Sequence, residues 1–267
     1  MKLYIDGVGL LGPGLSGWTD GKTILAGRAP YCPAEVRLAP SALLPAAERR
    51  RMTDIVKLAL AVGNEALPAG FASRTRTIFT SSGGDGATIT AILETLATEQ
   101  REVSPTRFHN SVHNAPAGYW GIAAQSREAS ISLCAHDFSF AAGLIEALAQ
   151  ALTQDQPVLL IAYDVPYSGA LGAVRPLEGI CGIALLVSAR RSDDSIAAMT
   201  LALTRSDKPD TPMTEPALDR LRTGTPAARG LPLLAALARE TPSSVVLRAM
   251  AGNVLEIDVV PVELDPA

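Results

Sequence analysis

Residues 130–147, Ser-Ile-Ser-Leu-Cys-Ala-His-Asp-Phe-Ser-Phe-Ala-Ala-Gly-Leu-Ile-Glu-Ala, change hydrophobic period in mid-stretch. Residues 129–134 read as a short buried strand. From Phe138 the apolar residues Phe138, Ala141, Ala142, Ile145, Leu148, Ala149 and Leu152 recur at helical spacing. A strand that runs directly into a helix sets the seam residue against unpaired N–H groups and the positive end of the helix dipole. Asp137 falls at that seam. Two uses fit it there. Its carboxylate can cap the helix, or it occupies a place that favours a nucleophilic thiolate or a carboxylate.

The same alternation of periods runs through the rest of the chain and predicts an α/β fold. Leu3 to Leu11 reads as a strand closed by the turn Gly12-Pro13-Gly14. Residues 15–50 read as an irregular excursion with a short helix near 18–25. A helix is expected at about 48–67, with Ile55, Leu58, Ala59, Val62 and Leu67 on one face. Strands are expected at Thr75 to Thr80, Pro157 to Tyr163, Glu178 to Arg190 and Ser195 to Thr204, and a helix at 87–98. Residues 207–227 read as a loop with a helix near 215–222. An apolar helix from Gly230 to Arg239 follows, then a hairpin of Ser243 to Met250 and Asn253 to Val262.

Two motifs between these elements carry less chemistry than they suggest. The loop Ser81-Ser82-Gly83-Gly84-Asp85-Gly86 joins a strand to a helix, a shape that can cradle a phosphate. It lacks the Walker lysine and the spacing of a dinucleotide fingerprint, and a glycine turn that brings helix and strand close accounts for it. His109 and His113 would share a face if helical, but no third ligand accompanies them. Hydrogen-bonded imidazoles are the expectation there, with no metal site.

Charge and composition narrow the classes further. The chain has 267 residues, 48% of them hydrophobic, and a formal net charge of −4, enough for one domain or two fused halves. No basic run exceeds Arg49-Arg50-Arg51 and aromatics make up only 4%, which argues against a nucleic-acid partner. No apolar run reaches membrane-spanning length, and Met1 to Gly7 turns polar too early for a secretory signal. Cys32, Cys134 and Cys181 are odd in number, far apart and without metal spacing. They read as reduced thiols of a cytoplasmic protein. No cofactor is expected.

The 130–147 stretch resembles the active-site elbow of β-ketoacyl synthases, the condensing enzymes of fatty-acid and polyketide synthesis. Their pattern is a serine-rich strand, Thr-Ala-Cys, a Ser two residues after the Cys, and a long helix. Laid on this chain, the reactive Cys falls on Asp137 and the following Ser on Ser139. Residues 104–120 are similar to a second ketosynthase segment, through Ser104, Pro105, Asn114, Ala117 and Gly118. In that family this segment lines the acyl tunnel near the dimer axis. The resemblance therefore places Arg107, Phe108, Ser111 and Val112, with Ser132 and Leu133 of the strand, at a tunnel wall or partner interface. The fold it implies is a thiolase-like, layered αβαβα arrangement in a single domain, 1–267. Its N-terminal half, 1–190, is well formed and its C-terminal half, 191–267, is reduced.

The resemblance also defines what is missing. Catalytic ketosynthases draw two histidines from the second half, whereas His109, His113 and His136 all precede or lie within the elbow. Thr223-Gly224-Thr225-Pro226 is similar to one of those histidine loops without its histidine. Condensation needs a thiolate to hold the acyl chain and donors for the enolate. These parts are absent together, and through its small size, its 104–120 block and its Ser-Leu-Cys-Ala-x-Asp-x-Ser-Phe-Ala-Ala-Gly-Leu-x-Glu-Ala block at 132–147 the chain most resembles the short chain-length-factor proteins of bacterial aryl polyene and xanthomonadin-type clusters. That implies a non-catalytic partner of an active ketosynthase that handles substrates on an acyl carrier protein, with Arg49, Arg50 and Arg51 available to steer the acidic carrier. Two alternatives stay open. One is an acyl-thioester hydrolase or acyltransferase using Cys134 or Ser139, with His136 on the same face of an extended strand as Cys134. The other is a homodimeric scaffold that docks carrier proteins.

Overall fold

A computed structural model describes residues 1–264. In chain order its elements are β1 (Lys2–Gly12), β2 (Leu15–Ser16), α1 (Trp18–Leu25), α2 (Ala46–Arg49), α3 (Asp54–Glu65), β3 (Arg76–Thr80), α4 (Gly86–Leu96), α5 (Pro105–Ser111), α6 (Ala115–Ala124), β4 (Ser130–Leu133) and α7 (Ser139–Gln154). Then come β5 (Val158–Asp164), α8 (Gly169–Val174), β6 (Cys181–Ser188), β7 (Ala197–Arg205), α9 (Pro216–Gly224), α10 (Leu231–Arg239), β8 (Ser243–Arg248) and β9 (Asn253–Pro261).

Eight of the strands run in the order β4-β3-β5-β6-β1-β7-β9-β8, with β2 paired to β1. Only β3 pairs in parallel, with β4 on one side and β5 on the other. Every residue of β5 is buried, because cores pack on both faces of the sheet at this strand. The register Thr80↔Leu133 and Thr80↔Ala162 brings the C-terminal ends of β3, β4 and β5 level. That alignment gathers Ser81, the residues after Leu133, and Asp164 at one edge.

Two cores flank the sheet. On one face α3 and α6 cover Phe79, Leu159, Ile161 and Tyr163. Close contact of α3 with β1 depends on Gly7 and Gly9, where a Cβ would lie 2.0 Å from the carbonyl oxygens of Ala66 and Val62. On the other face α7 and α10 share one core with β1, β5 and β6 and with β7, β8 and β9. The strands of the second half thus continue the first sheet through β1–β7 pairing and close over the same helices. This is a layered, thiolase-like arrangement. The outer face of β7, β9 and β8 carries polar pairs instead of a helix-packing surface: Ser244 donates to Asp258 at 2.6 Å and Thr204 to Glu256 at 3.0 Å.

Some sequence expectations need correction. β4 is not buried: it is the sheet's edge strand, and Ser130 and Ile131 are exposed. Four residues of small and apolar letters read alike at an edge and in a core. The helix expected at 48–67 is broken into α2 and α3, with Thr53 at the N-cap position of α3. The helix α8 was not anticipated.

Candidate functional site

The elbow after β4 is a tight turn, His136–Phe138, that leads directly into α7. His136 takes a left-handed φ of 52°, a conformation with a steric cost for a residue bearing Cβ. Local bonds hold it. The Phe138 N–H donates to Ala135 O at 2.9 Å. Ser139 Oγ accepts from the Ala135 N–H at 3.0 Å and donates to His136 O at 2.7 Å. Thr80 Oγ1 donates to Ser139 O at 2.9 Å. Ser139 is 1% exposed, and its hydroxyl is committed to the turn.

Asp137 does not cap the helix. Phe138 occupies the N-cap position, and no side chain caps it. The turn places Asp137 one residue too early, and one guanidinium gives it a charge-assisted bond while a second pairs with it at longer range. Arg175 Nη2 donates to Asp137 Oδ1 at 3.0 Å, and Arg229 Nη2 lies 3.8 Å from Oδ2. His136 Nδ1 is 3.4 Å from Asp137 Oδ1, and its Nε2 faces Arg175. Burial pulls the Arg175 guanidinium down, but its hydrogen bonds to Asp137 and Tyr167 outweigh this and hold it above its ordinary value. The Arg229 guanidinium stands 6.0 Å from the Phe138 ring centroid.

From Asp137 the ion pairs continue into the second half. Arg229 lies 3.6 Å from Asp210, Arg222 lies 3.6 Å from the same Asp210, and Arg222 donates to Asp219 at 2.6 Å. The result is an alternating chain of three guanidiniums and three carboxylates, Arg175-Asp137-Arg229-Asp210-Arg222-Asp219.

A second carboxylate lies behind the elbow. Asp164 is 1% exposed. It accepts from Ser81 Oγ at 3.1 Å, from Ser82 N–H and Oγ at 2.8 Å each, and from the Ala227 N–H at 2.8 Å. Burial raises its pKa, and the four donors offset only part of that rise. Ser82 also carries the link to Cys134, whose Sγ donates to Ser82 O at 3.1 Å. Cys134 is exposed. β4 ends at Leu133, so Cys134 and His136 do not share a strand face, and the His136 nitrogens face Arg175 and Asp137 instead.

The other sequence candidates sort by position. In the Ser81–Gly86 loop, Asp85 caps α4 through the Thr88 N–H at 2.9 Å, and a Cβ at Gly86 would lie 2.0 Å from the Tyr167 ring. Close packing accounts for the glycines. Thr225 is buried and bonds both backbone groups of Gly179, at 3.2 and 3.0 Å. α5 ends at Ser111 and Val112 is extended, so His109 and His113 share no helical face. His109 packs edge-on to Tyr119, and His113 Nε2 lies 3.3 Å from Ser81 O. Among the described residues no group of three or more His, Cys, Asp or Glu is placed to hold a metal, and no helix is long and apolar enough to cross a membrane.

Arg107, Phe108 and Val112 project from α5 and its end, with Phe108 66% and Val112 46% exposed. Ser111 Oγ donates back to Phe108 O at 2.8 Å. Ser132 and Leu133 are half-buried at the end of β4. Buried Asn110 donates to Arg51 O at 2.8 Å and accepts from Tyr119 at 3.1 Å, which sets exposed Arg49, Arg50 and Arg51 beside α5. Sequence reasoning missed Asp164, Arg175, Asp210 and Arg229. Only Asp164 carried a signal, as a lone charge ending an apolar strand.

The family model described as β-ketoacyl synthase, N-terminal domain, matches residues 26–243. No curated protein matches in sequence. Among solved structures, a chain of a ketosynthase in complex with its chain length factor from Xenorhabdus doucetiae superposes with a TM-score of 0.72 at 22% identity, over 97% of this chain and 99% of that one. The ishigamide ketosynthase/chain length factor gives 0.71 at 14% identity, over 98% and 99%. A type II polyketide synthase acyl-carrier protein in complex with its ketosynthase gives 0.73 at 11%, over 98% and 99%. At such identities the likeness is one of fold.

Proposed function

The chain belongs to the β-ketoacyl synthase N-terminal-domain family, and on that premise we propose that it is a non-catalytic, chain-length-factor-like subunit that pairs with an active ketosynthase. The observation that carries this reading is Asp137. At the position where the family resemblance places the nucleophile stands a carboxylate held between Arg175 and Arg229. It cannot carry an acyl chain as a thioester, and its charge opposes the approach of a carboxylated extender unit.

The two ends of the sheet support a partner at β4. The β8 edge is covered: Val246 N–H donates to Thr211 Oγ1 at 2.8 Å, and Val246 O accepts from the Thr211 N–H at 2.9 Å. The β4 edge exposes Ile131, and exposed Phe108 and Val112 project from and just beyond α5. An open edge with apolar neighbours is a template for strand addition. In this reading Arg107, Phe108, Ser111, Val112, Ser132 and Leu133 meet the partner and bound its acyl tunnel. Side-chain volume at the tunnel end limits chain growth by clash. The growing chains are polyene thioesters on an acyl carrier protein, of the aryl polyene or xanthomonadin type, in the cytoplasm. Arg49, Arg50 and Arg51 favour approach of the acidic carrier.

The test is co-expression with the ketosynthase of the same gene cluster, followed by size-exclusion chromatography with light scattering. A one-to-one complex whose activity requires this chain is expected. A homodimer that ignores the ketosynthase overturns the reading in favour of a self-contained scaffold.

A further inference from the structure

We propose that the elbow is a two-arginine carboxylate site already filled by its own side chain: Asp137 occupies the place of a small free carboxylate and keeps the site shut. The inference takes from the preceding reading only that the elbow does no acyl transfer.

Three observations carry it. First, Asp137 reaches the guanidiniums unevenly, with Oδ1 hydrogen-bonded to Arg175 at 3.0 Å and Oδ2 3.8 Å from Arg229. Tethered to the turn after a left-handed His136, the side chain bonds one fork and only approaches the other. A free carboxylate can centre itself between the two, and bidentate pairing with guanidinium is the strong geometry. Second, the Nε groups of Arg175 and Arg229 are both buried without a hydrogen-bond partner. Each guanidinium therefore keeps one unspent donor, although neither arginine is free to leave: Arg229 also pairs with Asp210, and Arg175 faces His136.

Third, the charge count is balanced only with Asp137 in place. Three guanidiniums face three carboxylates along the chain from Arg175 to Asp219. Removing the Asp137 carboxylate leaves three against two, and one positive charge at the mouth of the elbow has no counter-ion. The ligand class follows from the vacancy: a small mono- or dicarboxylate, with acetate and malonate as probes.

Calorimetric titration of the full-length chain with sodium acetate and sodium malonate at constant ionic strength tests this, with chloride as control. Wild type should show no saturable binding. Asp137→Ala should show saturable binding with a Kd at least about tenfold below the highest concentration at which wild type shows none, a difference of at least about 1.4 kcal/mol, and acetate should raise its melting temperature while leaving that of wild type unchanged. Adding Arg175→Met to Asp137→Ala should abolish the gain. Equal binding by wild type and Asp137→Ala overturns the proposal, as does a gain that survives Arg175→Met. If Asp137→Ala does not fold, Asp137→Ser is titrated under the same two criteria. Association with a ketosynthase is measured separately, so a failed titration leaves the subunit reading standing, and a failed co-expression leaves the carboxylate site standing.

Discussion

Asp164, the last residue of β5, accepts a hydrogen bond from the backbone N–H of Ala227 at 2.8 Å and so ties the central strand to the turn Pro226–Gly230 of the second half. Arg229 belongs to the same turn, so the buried carboxylate also fixes the guanidinium that faces Asp137. Asp164→Ala leaves donors from Ser81, Ser82 and Ala227 buried without an acceptor. We expect a loss on the order of 3 kcal/mol or more, read from urea denaturation. Asp164→Asn keeps the shape but turns an NH2 toward donors, and should cost roughly 1–3 kcal/mol.

The pH dependence of stability should separate Asp164 from Asp219. Burial raises Asp164 above the ordinary aspartate value of 3.8. Between that value and the raised one, the folded chain keeps a proton that the unfolded chain has released. Stability from this group therefore falls as pH rises through the window. Asp219 is lowered, first by its hydrogen bond from Arg222. Its contribution is present above 3.8 and is lost as pH falls through the lowered value. Unfolding followed across a pH series should show the acid-side loss flattened in Asp219→Asn and the decline above 3.8 removed in Asp164→Asn.

These groups mark where the sequence stopped being informative. The order of strands and helices was legible because hydrophobic period is local: β5, α1, α7 and α10 lie within a residue or two of their expected positions. The elbow was legible for the same reason. Its partners were not. Arg175 and Arg229 lie 38 and 92 positions beyond Asp137, in segments with no periodic pattern, and tertiary contacts such as the Ala227–Asp164 bond bring them to it. The capping role expected of Asp137 failed by a single residue, because the tight turn inserted before α7 moved the N-cap to Phe138. The exposure of β4 depended on whether another strand followed Ser130–Leu133 in the sheet, which its own four residues do not encode.

Phe108 and Ile131 give the partner surface a direct test. Phe108 is 66% and Ile131 37% exposed, so a charge at either costs the isolated chain little. Phe108→Glu and Ile131→Glu should leave its stability within about 0.5 kcal/mol of wild type. Either should weaken association with the ketosynthase at least about tenfold by burying an unpaired carboxylate. Analytical ultracentrifugation of mixed chains reads the second effect. Unchanged association for both variants would place the partner elsewhere.

Cys134 distinguishes the subunit reading from a thiol enzyme. Cys32 and Cys134 are exposed, while Cys181 is buried and its thiol is pushed far up by burial, with the nearby Asp164 charge adding to the shift. Native iodoacetamide labelling, mapped by mass spectrometry, should therefore modify Cys32 and Cys134 and reach Cys181 only on unfolding. The exposed Cys134 thiol donates to Ser82 O, and His136 is turned to Arg175 and Asp137 and is not placed as its base. Its labelling rate should match that of Cys32 within a few-fold. Because Cys134 follows directly on the β4 edge, the ketosynthase should protect it while leaving Cys32 reactive. A Cys134 that outpaces Cys32 by orders of magnitude, and is protected by an acyl thioester instead of by the ketosynthase, would make it a nucleophile and this chain an enzyme.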